Sequence, residues 1–231
     1  MDDFVFFDLG EEVGVLEFCG PDGVRFLNGQ VTQDVRKVMG TGVVLPSCVT
    51  DAKGKLQFRI WIAEGKIEGT VLVFCRGEMK EDLEARLTRY LIADDVEVRD
   101  VSAEISMGDF DFPETMDESS RIGKGIPKWG AEITEGMLPP EAGLDGTDIS
   151  YSKGCYIGQE VISRIKSAGK VNRRLVKLRF EGDGELGDIV SAEGKVCGQV
   201  TSVAGEIGLG FLKRGADESG LMVEGLSVFL R

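Results

Sequence analysis

The sequence predicts an α+β body followed by a small all-β barrel. Two patterns carry this. Residues 13–101 alternate strand-like and helix-like stretches, whereas from Leu175 onward the apolar periodicity is that of strands throughout, broken by Gly-rich turns at even spacing. Composition agrees: 42% hydrophobic and 29% charged residues suit an ordinary soluble globular chain, and 32 glycines imply many tight turns. With 231 residues the chain can bury a sizeable core, on the order of 70% of its unfolded surface. The predicted division is 1–170 for the body and 171–231 for the barrel.

Val13 to Phe18 alternates as a strand. Pro21-Asp22 opens a short helical stretch carrying Val24, Phe26 and Leu27. Val43 to Val49 and Leu56 to Ile62 read as a strand pair around the turn Asp51-Ala52-Lys53-Gly54, and Ile67 to Cys75 as a further strand. The best helix spans about Glu78 to Ile92. Met79, Leu83, Leu87, Tyr90 and Leu91 form one apolar stripe, with acids early and arginines late to match the helix dipole. Val96 to Val101 resumes strand alternation. Residues 107–120 are acidic with no basic residue and predict an exposed loop or reduced insertion. Pro127, Pro139 and Pro140 exclude one continuous helix in the segment that follows. Short strands are then expected at Leu175–Phe180, Asp188–Val190, Lys195–Val203, Ile207–Phe211 and Leu226–Leu230.

Composition also excludes chemistry. The chain has no histidine, which removes Ser-His-Asp and Cys-His catalysis and His-ligated zinc. Acid–base work would fall to Asp, Glu, Lys, Tyr or Cys. The 40 acids against 27 Lys and Arg argue against direct binding to duplex nucleic acid. No apolar run is long enough for a membrane span, and the acidic start Met-Asp-Asp-Phe-Val does not resemble a signal peptide, so a cytoplasmic location is expected. Five Gly-Lys pairs occur, none followed by Ser or Thr, and no Gly-x-Gly-x-x-Gly follows a strand, so neither phosphate-binding loop is present. The cysteines, at 19, 48, 75, 155 and 197, are odd in number and widely spaced, which speaks against a disulfide framework or zinc site. Four lie in apolar strand or turn contexts and read as inert core.

Cys155 differs. In Lys153-Gly154-Cys155-Tyr156-Ile157-Gly158-Gln159-Glu160 two glycines bracket a thiol and an aromatic ring, and an amphipathic stretch follows. Two readings stand: a buried structural thiol in a glycine-rich turn, or a surface thiol favoured as thiolate by the following helix N-terminus and Lys153. Residues 161–180 then carry seven basic residues and no acid. This run is either neutralised inside the protein or forms a site for an anionic ligand or acidic partner.

The octapeptide resembles the signature of the YgfZ family, bacterial relatives of the glycine-cleavage T-protein (aminomethyltransferase). Further landmarks agree in order: Arg25 to Val35, Lys53-Gly54-Lys55, Arg121 with Gly125-Ile126-Pro127, Leu138 to Ala142, and Gly198 to Ser202. The resemblance implies a T-protein-like fold, an α+β body and C-terminal barrel around a tetrahydrofolate pocket. It also implies a role in making or repairing iron–sulfur clusters, including those of radical-SAM enzymes that modify tRNA. Cys155 would be the family's functional thiol and a transient ligand of iron or of an iron–sulfur cluster. No permanent metal is implied, and the partners would be folate and iron–sulfur client or assembly proteins.

A pterin needs an apolar slot with directed polar groups, and its glutamate tail needs a cation. The candidate contacts are Asn28, Gln30, Thr32 and Asp34, with Lys153, Gln159 and Glu160 from the octapeptide. Arg121 is a candidate cation or else a salt-bridge residue, and Trp129 and Tyr156 are candidate stacking faces. Two departures from the family matter. The chain is shorter, with the acidic 107–120 stretch in place of a longer middle section. The strand after the Lys-Gly turn, where the T-protein has its catalytic Asp, carries no acid and has Arg59 near that place. The alternatives are therefore a folate-binding accessory factor, a one-carbon transferase lacking its carboxylate, and a pure interaction module.

Overall fold

Strands β1 (Val13–Cys19), β2 (Leu45–Thr50), β3 (Leu56–Glu64), β4 (Val71–Arg76) and β5 (Glu97–Asp100) form one antiparallel sheet in the order β2-β3-β4-β1-β5. Strands β1, β3 and β4 are apolar at successive positions because both faces are covered, whereas the edge strand β5 is charged and largely exposed. On one face Leu16, Phe18, Ile60, Ile62, Val71 and Val73 pack with Phe26, Leu27, Val35, Leu83 and Leu87 from helices α1 (Gly23–Gln30) and α2 (Lys80–Thr88) and the turn after α1. Trp61 and Phe74, one residue out of phase, point to the other face. There Phe110 and Phe112 meet them edge-on, at centroid distances of 5.2 and 5.0 Å from Phe74 and 6.1 Å between Trp61 and Phe112.

The fold is a computed structural model and describes residues 9–231 except 11 and 114. The acidic start Met1–Val5 and Glu114 therefore lie outside the described residues. The chain divides into two units: the residues up to 113 with 145–164, and 115–144 with 165–231. The sequence boundary at 170/171 falls just before the first barrel strand but leaves 115–144 with the body. In the fold these residues group with the barrel.

In the second unit β6 (Arg173–Phe180), β7 (Asp188–Val190), β8 (Val196–Ala204), β9 (Ile207–Lys213), β10 (Met222–Val223) and β11 (Leu226–Leu230) close a barrel in the order β10-β11-β6-β9-β8-β7. Val176, Leu178, Phe180, Ile189, Val200, Leu212, Val223 and Val228 fill it. Helix α3 (Glu118–Lys124) packs on β8 and β9. Helix α4 (Gln159–Ala168) begins with the last two residues of the octapeptide and runs across the division between the units at 164/165.

Three expectations need correcting. The helix expected over 78–92 is a 3-10 turn, Gly77–Met79, and α2, Lys80–Thr88. Past Thr88 the chain turns, with the Leu91 N–H donating to the Thr88 carbonyl at 2.9 Å, and Tyr90 and Ile92 are left exposed. The strand expected from Ile67 starts at Val71, because a tight turn closes with Gly65 N–H to the Thr70 carbonyl at 2.8 Å. The acidic 107–120 stretch is not merely a solvated loop. Its two phenylalanines cover the sheet, and its end begins α3, where the Asp117 carboxylate accepts from Ser120 N–H at 2.9 Å as an N-cap. Charge there concealed the local apolar and capping signals.

Candidate functional site

Helix α1 ends at Gln30, and its last carbonyls and those of the next turn point outward without helical partners. Lys153 supplies the missing donors from a distant segment. Its Nζ donates to the carbonyls of Asn28, Val31 and Gln33 at 2.6, 2.7 and 2.8 Å. The cation thus caps the negative end of α1. Burial pulls the Lys153 amine down to about 7, although the nearby Asp34 carboxylate opposes the fall.

The other end of the octapeptide is fixed as firmly. Ile157 N–H donates to the Gly29 carbonyl at 3.3 Å, and the Ile157 carbonyl accepts from Thr50 Oγ1 at 2.6 Å. Gly158 has φ +89°, and a Cβ there would lie 2.5 Å from the Asp51 carbonyl oxygen and 3.0 Å from Gly54 Cα. Only glycine lets the β2–β3 turn approach so closely. Gly158→Ala is expected to destabilise this unit by about 1–3 kcal/mol from backbone strain alone, with the clash adding to it, as measured by denaturant unfolding.

Between these anchors Gly154 and Cys155 face solvent, and Tyr156 turns inward against Ile149 and Ile162. Cys155 is exposed, while Cys48, Cys75 and Cys197 are buried and Cys19 is half-buried beside Arg99. Burial pushes the Cys75 thiol up to about 12, as expected of inert core sulfur. Cys155 therefore lies at the surface and is not a buried structural thiol. Lys153 faces the α1 carbonyls, with its Nζ 5.1 Å from the centre of the Tyr156 ring. The Tyr156 hydroxyl is buried with no hydrogen-bond partner among the described residues.

The remaining predicted residues separate into two groups. Asn28, Gln30, Thr32, Asp34, Lys153, Tyr156, Gln159 and Glu160 belong to one unit; Arg121 and Trp129 belong to the other. Most of the first group already have internal partners. Asn28 Oδ1 accepts from Val35 N–H at 3.0 Å, and Gln30 Oε1 accepts from Arg86 at 3.2 Å. Thr32 Oγ1 donates to the Asp148 carbonyl at 2.6 Å and accepts from Cys48 N–H at 2.8 Å. Asp34 pairs with Arg36 through two bonds of 2.8 Å, and that guanidinium holds its carboxyl below the usual carboxylate range. Glu160 makes an exposed pair with Arg164 at 2.6 Å.

Arg121 is not placed as a receptor for a carboxylate tail. Its side chain is fully enclosed, donating to Glu132 at 2.9 Å, Glu118 at 2.6 Å, Ser202 Oγ at 2.8 Å and the Ile126 carbonyl at 2.6 Å. Burial disfavours its charge, but the two carboxylates more than offset this and hold its pKa above the ordinary guanidinium value. Trp129 is half-buried at the rim of a groove shared with Lys128, Leu186 and Thr201.

Arg59, which carries no acidic neighbour in sequence, has a distant partner. Arg59 Nε and a second guanidinium nitrogen meet the Asp148 carboxylate at 2.7 and 3.2 Å, with side-chain exposures of 8% and 0%. A bidentate buried pair joining residues this far apart in sequence leaves no local spacing signal. The basic run is largely neutralised. Arg164 pairs with Glu160, Arg173 with Glu141, Arg174 with Glu218, and Arg179 lies 3.8 Å from Glu206. Among the described residues no group of three or more His, Cys, Asp or Glu side chains could hold a metal ion, and no helix is long and apolar enough to cross a membrane.

Lys153 also links stability to pH. Its folded-state pKa, about 7, lies below the free-lysine value of 10.5. Between these values the unfolded chain holds the proton that the folded chain has released, so this group's contribution to stability rises with pH. Below about pH 7 both states are charged and the slope vanishes. Lys153→Met is expected to flatten the rise between pH 7 and 10 in urea unfolding.

Comparison with known proteins adds to this geometry. Residues 172–231 match the family described as CAF17, C-terminal beta-barrel domain. That stretch is the closed barrel. The chain is 32% identical over 102 residues to the mouse mitochondrial iron–sulfur cluster assembly factor IBA57, covering 40% of this chain and 28% of that protein. It is 32% identical over 115 residues to an aminomethyltransferase of Rippkaea orientalis, covering 46% and 31%. The matches span only about a quarter to a third of these relatives' lengths. The structure resembles the crystal structure of the glycine cleavage system aminomethyltransferase T from Bartonella henselae, with a TM-score of 0.77 over 95% of this chain and 82% of that one, at 12% identity. The fold is thus aminomethyltransferase-like, as the octapeptide implied, and the findings are consistent with the YgfZ family.

Proposed function

We propose that this protein is an accessory factor for iron–sulfur cluster assembly or repair and that Cys155 is its working thiol. The observation that carries this reading is the exposure of Cys155 on a loop pinned at both ends. The kinship with an iron–sulfur assembly factor supports it. A soft thiolate suits iron and iron–sulfur species. One cysteine cannot hold a cluster, so the remaining ligands come from a client or assembly protein or a small thiol. Radical-SAM enzymes that modify tRNA are the proposed clients, in the cytoplasm.

Tetrahydrofolate is the proposed ligand, and the body offers groups that fit it. The Tyr156 hydroxyl lacks a partner, and the Asn28 amide nitrogen and the Gln159 side chain make no hydrogen bonds to described residues. The Asn28 and Gln159 side chains would hold its polar edges; bound folate supplies a carrier for one-carbon units. Titration calorimetry with tetrahydrofolate tests this half of the proposal: heat and a thermal shift are expected, and neither would appear if the protein were an interaction module alone.

Aminomethyl transfer is not part of the proposal. Arg59 falls in sequence near the expected place of the T-protein carboxylate, and the carboxylate it meets, Asp148, is buried and engaged in a bidentate salt bridge with it. No methylene-tetrahydrofolate should form from a methylamine-type donor.

A further inference from the structure

We propose that Lys153 is a positioning residue that sets where the Cys155 thiol is presented, acting through geometry and not through its charge. The inference rests on the reading of Cys155 as the working thiol. Three observations carry it. The Lys153 Nζ converges on three carbonyls at 2.6–2.8 Å, a complete set for the three donors of an ammonium. Two residues on, Cys155 is exposed, and a Cβ at the intervening Gly154 would meet nothing within 4 Å. Packing therefore does not hold Gly154. The position of Gly154 and Cys155 is inherited from their flanks, Lys153 on one side and the packed Tyr156 with Ile157–Gly158 on the other.

The distinction from a charge effect is testable because arginine keeps the charge but not the geometry. A planar guanidinium cannot bring one nitrogen within bonding distance of three converging carbonyls. The experiment compares wild type, Lys153→Met, Lys153→Arg and Cys155→Ser. Activity of an iron–sulfur enzyme is measured in a host lacking the endogenous factor, at a temperature where melting curves show each variant folded. Hydrogen exchange at Ile157 N–H, bonded to Gly29 in the wild type, gives a second readout.

Lys153→Met and Lys153→Arg are both expected to lose about tenfold or more in client activity, as Cys155→Ser does, and to exchange Ile157 N–H faster. Wild-type activity in a folded Lys153→Met protein would overturn the proposal, since the lysine would then be a stability element only. Restoration by Lys153→Arg would overturn it in favour of charge. Wild-type activity in Cys155→Ser would instead sink the proposed function, while unchanged Ile157 exchange in Lys153→Met would separately refute the positioning role. Should Lys153→Met not fold, Lys153→Gln, which keeps two donors, is judged by the same criteria.

Discussion

Replacing Arg121 by methionine should destabilise the barrel unit by about 3–5 kcal/mol, because the change strands a buried carboxylate. Glu132 is fully enclosed and accepts from Arg121, Ser202 Oγ and Thr201 Oγ1 at 2.9, 2.5 and 2.7 Å. Without the guanidinium its charge loses its counterion in a medium of low polarity. The double variant Arg121→Met/Glu132→Leu removes both charges and should recover part of the loss, since an apolar pair of similar volume can substitute for a buried ion pair. Thermal and urea unfolding of the three proteins measure this. A cost for the single variant below about 1 kcal/mol, the range of a surface pair, would show that the pair is not the internal strut described.

The second large effect is functional. Cys155→Ala should leave stability within about 0.5 kcal/mol of wild type, because the side chain is exposed. Client iron–sulfur enzyme activity in cells should nonetheless fall to the level of a host lacking the protein. Alanine at Cys48 or Cys75, both buried, should show the opposite pattern, lower stability with activity retained in whatever fraction folds. Full complementation by Cys155→Ala would end the role assigned to the thiol.

Much of the architecture was readable because it follows from period and punctuation. Strands such as Val13–Cys19 and Arg173–Phe180 follow their apolar patterns, and the barrel's Gly-rich turns mark its strand ends. What was hidden depends on residues far apart in the chain. Nothing near Lys153 in sequence announces that its acceptors are the carbonyls of residues 28–33, and nothing near Arg59 points to Asp148. Phe110 and Phe112 were obscured by the acids around them, although two aromatics at alternate positions are a fair sign of a covering strand. The candidate site was legible in its chemistry, a glycine-flanked thiol, but not in its mounting. The polar residues proposed as ligand contacts were mostly scaffold, because hydrogen-bonding capacity in a sequence does not reveal where it is directed.

The lysine cap on α1 has a consequence for how the protein is made. The cap closes a loop of 120 to 125 residues, across the whole excursion that joins the barrel unit. A nascent chain that has emerged only to residue 113 can pair all five strands of the sheet, yet its first helix still ends in unanswered carbonyls. The sheet is thus a platform that waits on the ribosome for its final fastener. Completion of the body, and with it the placement of the thiol, has to await translation of Lys153 and the residues after it, an order imposed by the sequence.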